Sequence, residues 1–196
     1  MTLNKIKRVG IIIEARSNSK RLPNKHFLKT GNKTIIEHLI TRVKKINNIN
    51  NIIIATTKNR EDDKLCNLAK KNKINYFRGS ETNVTKRVLD CANKFKLDYI
   101  CEITGDCPII DIELVQQLIL TFLKNINLID YATNEIGLPN GMGCQVFKKS
   151  ILKKSYKDIK NNLEEQEHVT LNIRRNPKKY RLFFLKHPEK YNRPDI

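Results

Sequence analysis

The residue types best suited to chemistry crowd into one stretch near the N-terminus. Ala15-Arg16-Ser17-Asn18-Ser19-Lys20-Arg21-Leu22-Pro23-Asn24-Lys25 follows the apolar run Val9–Ile13 after the single residue Glu14. Its cations Arg16, Lys20, Arg21 and Lys25 sit among the hydroxyls of Ser17 and Ser19. A triphosphate needs converging donors and positive charge, and a loop that leaves a buried strand adds backbone N–H groups. A solvated basic loop fits the same spacing, and the glycines of a Walker A loop are missing. Thr104-Gly105-Asp106-Cys107-Pro108 is the second stretch. An Asp held between a Gly and a Pro-containing turn beyond a buried strand suits a hard divalent cation among phosphates. It equally suits an Asp that satisfies turn N–H groups. The third is Ala55-Thr56-Thr57, which could line a base or ribose pocket or simply end a strand.

These stretches need strands to end where they begin. Arg8–Ala15, Asn51–Thr56, Ile74–Phe77, Tyr99–Ile103 and Ile129–Ala132 are short apolar runs that predict buried strands. Between them, Thr34–Lys45, Arg60–Lys73, Asn83–Phe95 and the segment from Asp111 to Leu123 carry apolar residues at helical spacing. Thr34 with Glu37 predicts a capping box. Ser17–Gly31 reads as a loop, and Arg78-Gly79-Ser80 as a turn. Alternating strands and helices predict βαβ units, hence an α/β fold with a mostly parallel sheet covered on both faces. Ligands in such sheets bind beyond the carboxyl ends of the strands. After Gly137 the rhythm changes: Pro139–Gly143 is a tight loop, Cys144–Phe147 a strand, Ile151–Ile159 and Leu163–Arg174 helices, and Tyr180–Leu185 an apolar stretch. No linker or repeat divides residues 1–196, so a single domain is expected.

The formal charge of +18 invites a nucleic-acid reading, but it is uneven. Residues 1–45 hold 12 basic and 2 acidic side chains, a balance of +10, against +1 for 46–148 and +7 for 149–196. The N-terminal excess lacks the interleaved aromatics of a nucleic-acid surface, with Phe27 alone. A polyanionic small ligand accounts for it as well, so no specific nucleic-acid partner is expected. No apolar run approaches the roughly 20 residues of a membrane span, so no membrane partner is expected and a cytoplasmic location is. The five cysteines form no CxxC pair and are expected to be reduced.

IIIEARSNSKRLPNK, IIIATT, FRGSETNV, ITGDCPIID and EQEHVT occur in this order over nearly the whole chain. In these motifs it resembles the cytidylyltransferases of surface-polysaccharide synthesis. The likeness is greatest to the spore-coat polysaccharide biosynthesis protein F type, with the CMP-Kdo and CMP-acylneuraminate synthetases as cousins. The resemblance implies a three-layer Rossmann-like fold of the glycosyltransferase-A or nucleotide-diphospho-sugar transferase type, and a homodimer. It implies a CTP-dependent nucleotidyltransferase that moves CMP onto a sugar-acid or related polysaccharide precursor and releases pyrophosphate. By matching position, Arg16, Arg21, Lys25 and Asp106 would be catalytic, and Ala15 and Ser19 would hold CTP. Thr56, Arg78, Gly79 and Ser80 would lie near base and ribose, and Asp106 would bind Mg²⁺. Lys20 falls at a variable position and takes no role.

Two departures bear on this reading. Where relatives commonly have P-D-G-L-D-x-E-V-F, this chain has Pro139-Asn140-Gly141-Met142-Gly143-Cys144-Gln145-Val146-Phe147, with Gly143 and Gln145 replacing carboxylates. This loop, with Glu167 and His168 of Glu165–Thr170, is expected to meet the acceptor. Relatives also continue into an R-L-T-V-D-T-x-x-D segment whose first Asp supplies a second metal ligand. This sequence stops short of it at Arg193-Pro194-Asp195-Ile196, so the domain is expected to lack its usual C-terminal segment. The alternatives are a catalytically impaired nucleotide-binding relative and a transferase using another nucleotide.

Overall fold

The computed structural model describes residues 8–19, 22–47, 49, 51–159 and 162–186. Strand β1 (Val9–Glu14) is flanked by β4 (Asn51–Thr57) and β6 (Tyr99–Thr104), both parallel to it. The seven-stranded sheet runs β5-β4-β1-β6-β8-β7-β9, with β5 at Asn75–Gly79, β7 at Tyr131–Thr133, β8 at Gln145–Lys148 and β9 at Leu182–Phe184. Only β8 runs antiparallel to its neighbours β6 and β7. The sheet is therefore mostly parallel, as expected.

Side chains of β1 alternate between two apolar layers. Ile11 and Ile13 face α1 (Ile35–Val43), α2 (Asp63–Lys71) and α4 (Ile112–Lys124). Ile12 faces α3 (Val84–Lys94), α5 (Lys149–Asp158) and α7 (Leu171–Arg175). A sheet buried on both faces is what a continuous Ile run without alternation requires. The Thr34–Glu37 capping box forms as expected, and Asp111 caps α4 by accepting from Glu113 and Leu114 N–H groups.

Several boundaries differ from the expectation, each for a local reason. The Ser17–Gly31 loop contains a 3-10 turn at Lys25–Phe27 and begins a small hairpin, β2 (Lys29–Thr30) with β3 (Lys33–Thr34), turned by Gly31 at φ 61. Arg78 and Gly79 are the last residues of β5, paired with Thr56 and Thr57, rather than a turn. The Leu163–Arg174 helix is broken: α6 (Leu163–Glu167) and α7 are separated because Val169 turns into the core and His168 goes extended. All five cysteines are buried and unbridged. No helix among the described residues is long and apolar enough to cross a membrane.

The C-terminal edge of the sheet is locked electrostatically. Asp130, 6% exposed, receives the Lys148 ammonium at 2.6 Å and the Arg181 side chain at 2.9 and 3.1 Å. Burial alone would raise the Asp130 carboxyl, but the Arg181 and Lys148 hydrogen bonds outweigh it and hold it far below the usual range. Asp130→Ala strands the Lys148 ammonium, half of a largely buried pair, and is expected to cost about 3 kcal/mol. Urea unfolding monitored by far-UV circular dichroism measures this; a loss below about 1 kcal/mol would mark the network as a surface ion pair.

Candidate active site

Parallel β1, β4 and β6 end on the same side, and their carboxyl ends carry the loops that build the site. The loop after β1 is fastened by Asp62, which is 1% exposed. Its carboxylate accepts from Ser17 N–H at 2.6 Å, from Thr57 N–H at 3.1 Å and from the Thr57 hydroxyl. The Ser17 hydroxyl donates to the Glu61 carbonyl. Burial would raise Asp62, and these donors more than reverse it, so the carboxylate stays charged.

Two clefts open along this edge. The first, of about 650 Å³, is lined by Ala15, Arg16, Ser19, Lys25, Arg87 and Asp106 with neighbours including Glu14, His26, Glu81, Glu167 and His168. The second, of about 570 Å³, is lined by Glu102, Asp106, Glu135, Asn140, Gly143 and Gln145 among others. Thr104 and Asp106 belong to both and form the wall between them. Lys25 reaches across to ion-pair with Asp106. Burial tends to raise the Asp106 carboxyl, but Lys25 and Thr104 prevail and hold it ionised.

Gly105 explains how that wall stands so close to β1. Its N–H donates to the Glu14 carbonyl at 2.7 Å, and a Cβ there would lie 2.8 Å from that same oxygen. His26, 3% exposed, packs beneath it, and burial first of all keeps this imidazole below its ordinary pKa and so neutral.

Between the clefts lies a feature absent from the motifs. Half-buried Glu14 lines the first cleft and buried Glu102 the second, and Glu14 Oε1 and Glu102 Oε2 have no donor among the described residues besides each other's carboxyl. Burial pushes Glu14 up to about 7, opposed by the Arg87 guanidinium. Glu102 rises well above the usual range, from burial and then the like charge of Glu14, with Glu135 adding to it and Arg174 opposing. Two buried carboxyls side by side hold a proton between them. Arg87 is 2% exposed; it donates to the Ser80 carbonyl at 2.6 Å and leaves its Nε unpartnered.

The expected residues divide by where the structure puts them. Ala15, Arg16, Ser19, Lys25 and Asp106 converge on the first cleft. Glu167 and His168 also line it, and Glu167 receives Arg16 at 3.3 Å, so they stand apart from Gln145 in the second cleft. Thr56 is fully buried inside β4. Arg78 donates to the Thr57 carbonyl at 3.0 Å and the Asn59 carbonyl at 2.6 Å and pairs with Asp63, so it staples the end of β4. Gly79 lets α3 approach, since a Cβ would meet Arg87 Cγ at 2.9 Å, and Ser80 caps the following turn by accepting from Asn83 N–H. These four frame the cleft, while Glu81, Thr82 and Val84 just after them line it. Arg21 and Asp195 lie outside the described residues.

An α/β sheet that brings Arg16, Lys25 and Arg87 together with an ionised Asp106 at the carboxyl ends of its central strands is the arrangement of a nucleotidyltransferase. The profile of the cytidylyltransferase family matches residues 10–193, and the chain belongs to that family. It is 32% identical to the spore coat polysaccharide biosynthesis protein SpsF of Bacillus subtilis over 187 residues, covering 93% of this chain and 77% of that protein. It is 39% identical to an uncharacterised protein of Methanocaldococcus jannaschii over 185 residues, covering 94% of this chain and 74% of that one. Among solved structures, a cytidylyltransferase from Leptospira borgpetersenii superposes with a TM-score of 0.90 at 33% identity, covering 97% of this chain and 79% of that one. The protein is thus a CTP-dependent nucleotidyltransferase.

The buried acid pair has a consequence for stability. A carboxyl whose folded pKa is near 7 and whose unfolded pKa is 4.5 binds more protons when folded between those values. Its stabilising contribution is complete below pH 4.5 and is lost as pH rises through about 7. Glu14→Gln is therefore expected to flatten the fall in stability over this window by up to about 1.4 kcal/mol per pH unit. Thermal unfolding of both proteins from pH 5 to 8 reads this, and identical slopes would show that Glu14 ionises without penalty.

Proposed function

We propose that this chain transfers CMP from CTP to a hydroxyl of a sugar-type precursor of a surface polysaccharide, with CTP in the first cleft, beside Arg16 and Lys25, and the acceptor in its neighbour. The carrying observation is the shared wall: Thr104 and Asp106 line both clefts, so ligands in the two meet at one carboxylate. In the reaction an acceptor oxygen forms a bond to the α-phosphorus, the bond to the bridging oxygen of pyrophosphate breaks, and the hydroxyl proton is released. Negative charge grows on the leaving and non-bridging oxygens, so positive charge placed in advance lowers the barrier. Arg16 and Lys25 supply it from the described part of the loop, Arg21 extends the set, and the Ser19 hydroxyl adds a donor, while Ala15 lines the cleft with its N–H given to the Ala55 carbonyl. Arg87 adds a buried guanidinium at the cleft's base. Alignment of the acceptor against phosphorus supplies the remaining large contribution.

Mg²⁺ is part of this proposal, and the residues present suit it. Asp106 is ionised at the meeting of the clefts. No group of three His, Cys, Asp or Glu among the described residues could hold a metal by itself. One or two carboxylates completed by phosphate oxygens and water are the usual Mg²⁺ set. Bound at Asp106, the ion would screen charge on the phosphate oxygens. Lys25, which now neutralises Asp106, would then turn to the phosphates.

Lys25→Ala and Asp106→Asn are each expected to lower CTP-dependent pyrophosphate release by about 100-fold or more, the scale of losing one transition-state electrostatic contact. Both side chains are part-exposed at the cleft, so melting temperatures should stay near that of the parent. Variants that keep turnover while losing melting temperature would remove the phosphate assignment. Thermal shift across CTP, UTP, GTP and ATP tests the nucleotide, since ligand at 100 times its Kd stabilises by about 2.7 kcal/mol.

A further inference from the structure

Two acids of neighbouring strands meet behind the clefts. In the register of β1 with β6, Glu14 stands opposite Thr104 and Glu102 opposite Ile12, so both project from the face that α3 covers. Their side chains hydrogen-bond to each other, and Glu14 Oε1 and Glu102 Oε2 are closed to solvent with no other donor among the described residues. A carboxylate only accepts. Were both ionised, each of these oxygens would be unpaired beside a like charge, so one carboxyl carries a proton and donates it to the other.

The surroundings decide which one. Glu14 stands by the Arg87 guanidinium, and among the acids that act on Arg87 it comes first, ahead of Asp62 and Glu81. Glu102 faces Glu14 from β1 and Glu135 from the segment after β7, with Arg174 of α7 as the opposing cation. Tyr131 of β7 and Cys144 before β8 stay uncharged beside it, and Gln145 lies opposite it on β8. Asp106, farther along the same cleft, is met by Lys25. The proton therefore sits on Glu102, and Glu14 is the charged member of the pair.

Arg87 connects this pair to the first cleft. It lines that cleft yet is 2% exposed; it donates to the Ser80 carbonyl, and its Nε has no partner among the described residues. Arg16 repels it, so the attraction of Glu14 is the main force that keeps the guanidinium in place.

We propose that Glu14 and Glu102 are positioning residues: with one proton held on Glu102, Glu14 fixes Arg87 at the base of the CTP cleft, and removal of that proton weakens CTP binding. The proposal rests on the transferase reading above and specifies how the most buried cation of its nucleotide site is set. Without the proton, two carboxylates repel where little solvent screens them, and Glu14 relieves this only by leaving its place against Arg87.

Calorimetric titration of the full chain with CTP and Mg²⁺ from pH 7.5 to 9.5 tests this. A proton needed for tight binding weakens affinity by up to about tenfold per pH unit once the free protein has lost it. The parent is therefore expected to lose about tenfold or more across this range and to take up a proton with CTP at its upper end. Glu102→Gln offers Glu14 an N–H that does not ionise, so its affinity should stay level with no proton uptake. Glu102→Leu removes the donor and should bind CTP about tenfold more weakly than the parent at pH 7.5, a loss that the Gln variant recovers. Should Glu102→Leu fail to fold, the pH dependence of Glu102→Gln decides alone. A parent whose affinity is level with pH, or a Gln variant that falls as the parent does or binds as weakly as the Leu variant, would overturn the proposal and leave the transferase reading standing. A Leu variant that binds like the parent would do the same. A parent that binds no CTP at any pH would overturn both.

Discussion

The site depends on one buried carboxylate that does no chemistry. Asp62 stands on the 3-10 turn that leads into α2, yet its oxygens take the Ser17 amide after β1 and the Thr57 amide and hydroxyl at the end of β4. Three donors on one ionised carboxylate, with little solvent to compete, make a rigid joint. Without it the strongly basic segment after β1 has no reason to stay over the sheet, because its cations repel one another. The joint converts a stretch of like charge into a cleft in which Arg16 and Lys25 face the same volume.

The two clefts meet at Asp106. On one side Arg16, Lys25 and Arg87 stand among Glu14, Glu81 and Glu167. On the other the described lining carries Glu102 and Glu135 among neutral groups. The chain belongs to the cytidylyltransferase family. In the second cleft Gly143 and Gln145 hold Glu135, the first by close approach and the second by a hydrogen bond.

Much of the fold was legible because isoleucine-rich strands and amphipathic helices have clear periods, and because Thr34 and Asp111 are caps of the usual type. Arg16, Ser19, Lys25 and Asp106, which the structure brings to one cleft, stood out too, since polar residues that follow buried strands contrast with apolar neighbours. What sequence reasoning missed has a common cause. Glu14 occupies the end of a strand, Glu102 a strand interior, Arg87 the middle of a helix, and Asp62 a helix start, where charged residues are ordinarily solvated. Their burial arises from strand order, which places β6 beside β1 and α3 over both, and no local pattern encodes that order. Arg78–Ser80 was misread for the opposite reason: a Gly-containing triplet looks like a turn, but here the glycine is needed to admit Arg87. A charged residue inside an otherwise apolar run, as at Glu102 within Tyr99–Ile103, was the one signal available.

The same strand order ties the acid pair to Asp106. Glu14 gives its backbone carbonyl to Gly105 and its side chain to the space shared with Glu102, so one residue sets both the height of Asp106 and the charge behind it. A side chain at 105 would push the β6 end off β1 by its contact with that carbonyl, and Asp106 would move with it. Glycine is thus required here by the closeness of two parallel strands, while the aspartate after it is required by charge. The pairing of Gly105 with Asp106 follows from these two separate constraints meeting at one strand end, which is why spacing alone located it while its dependence on Glu14 stayed hidden.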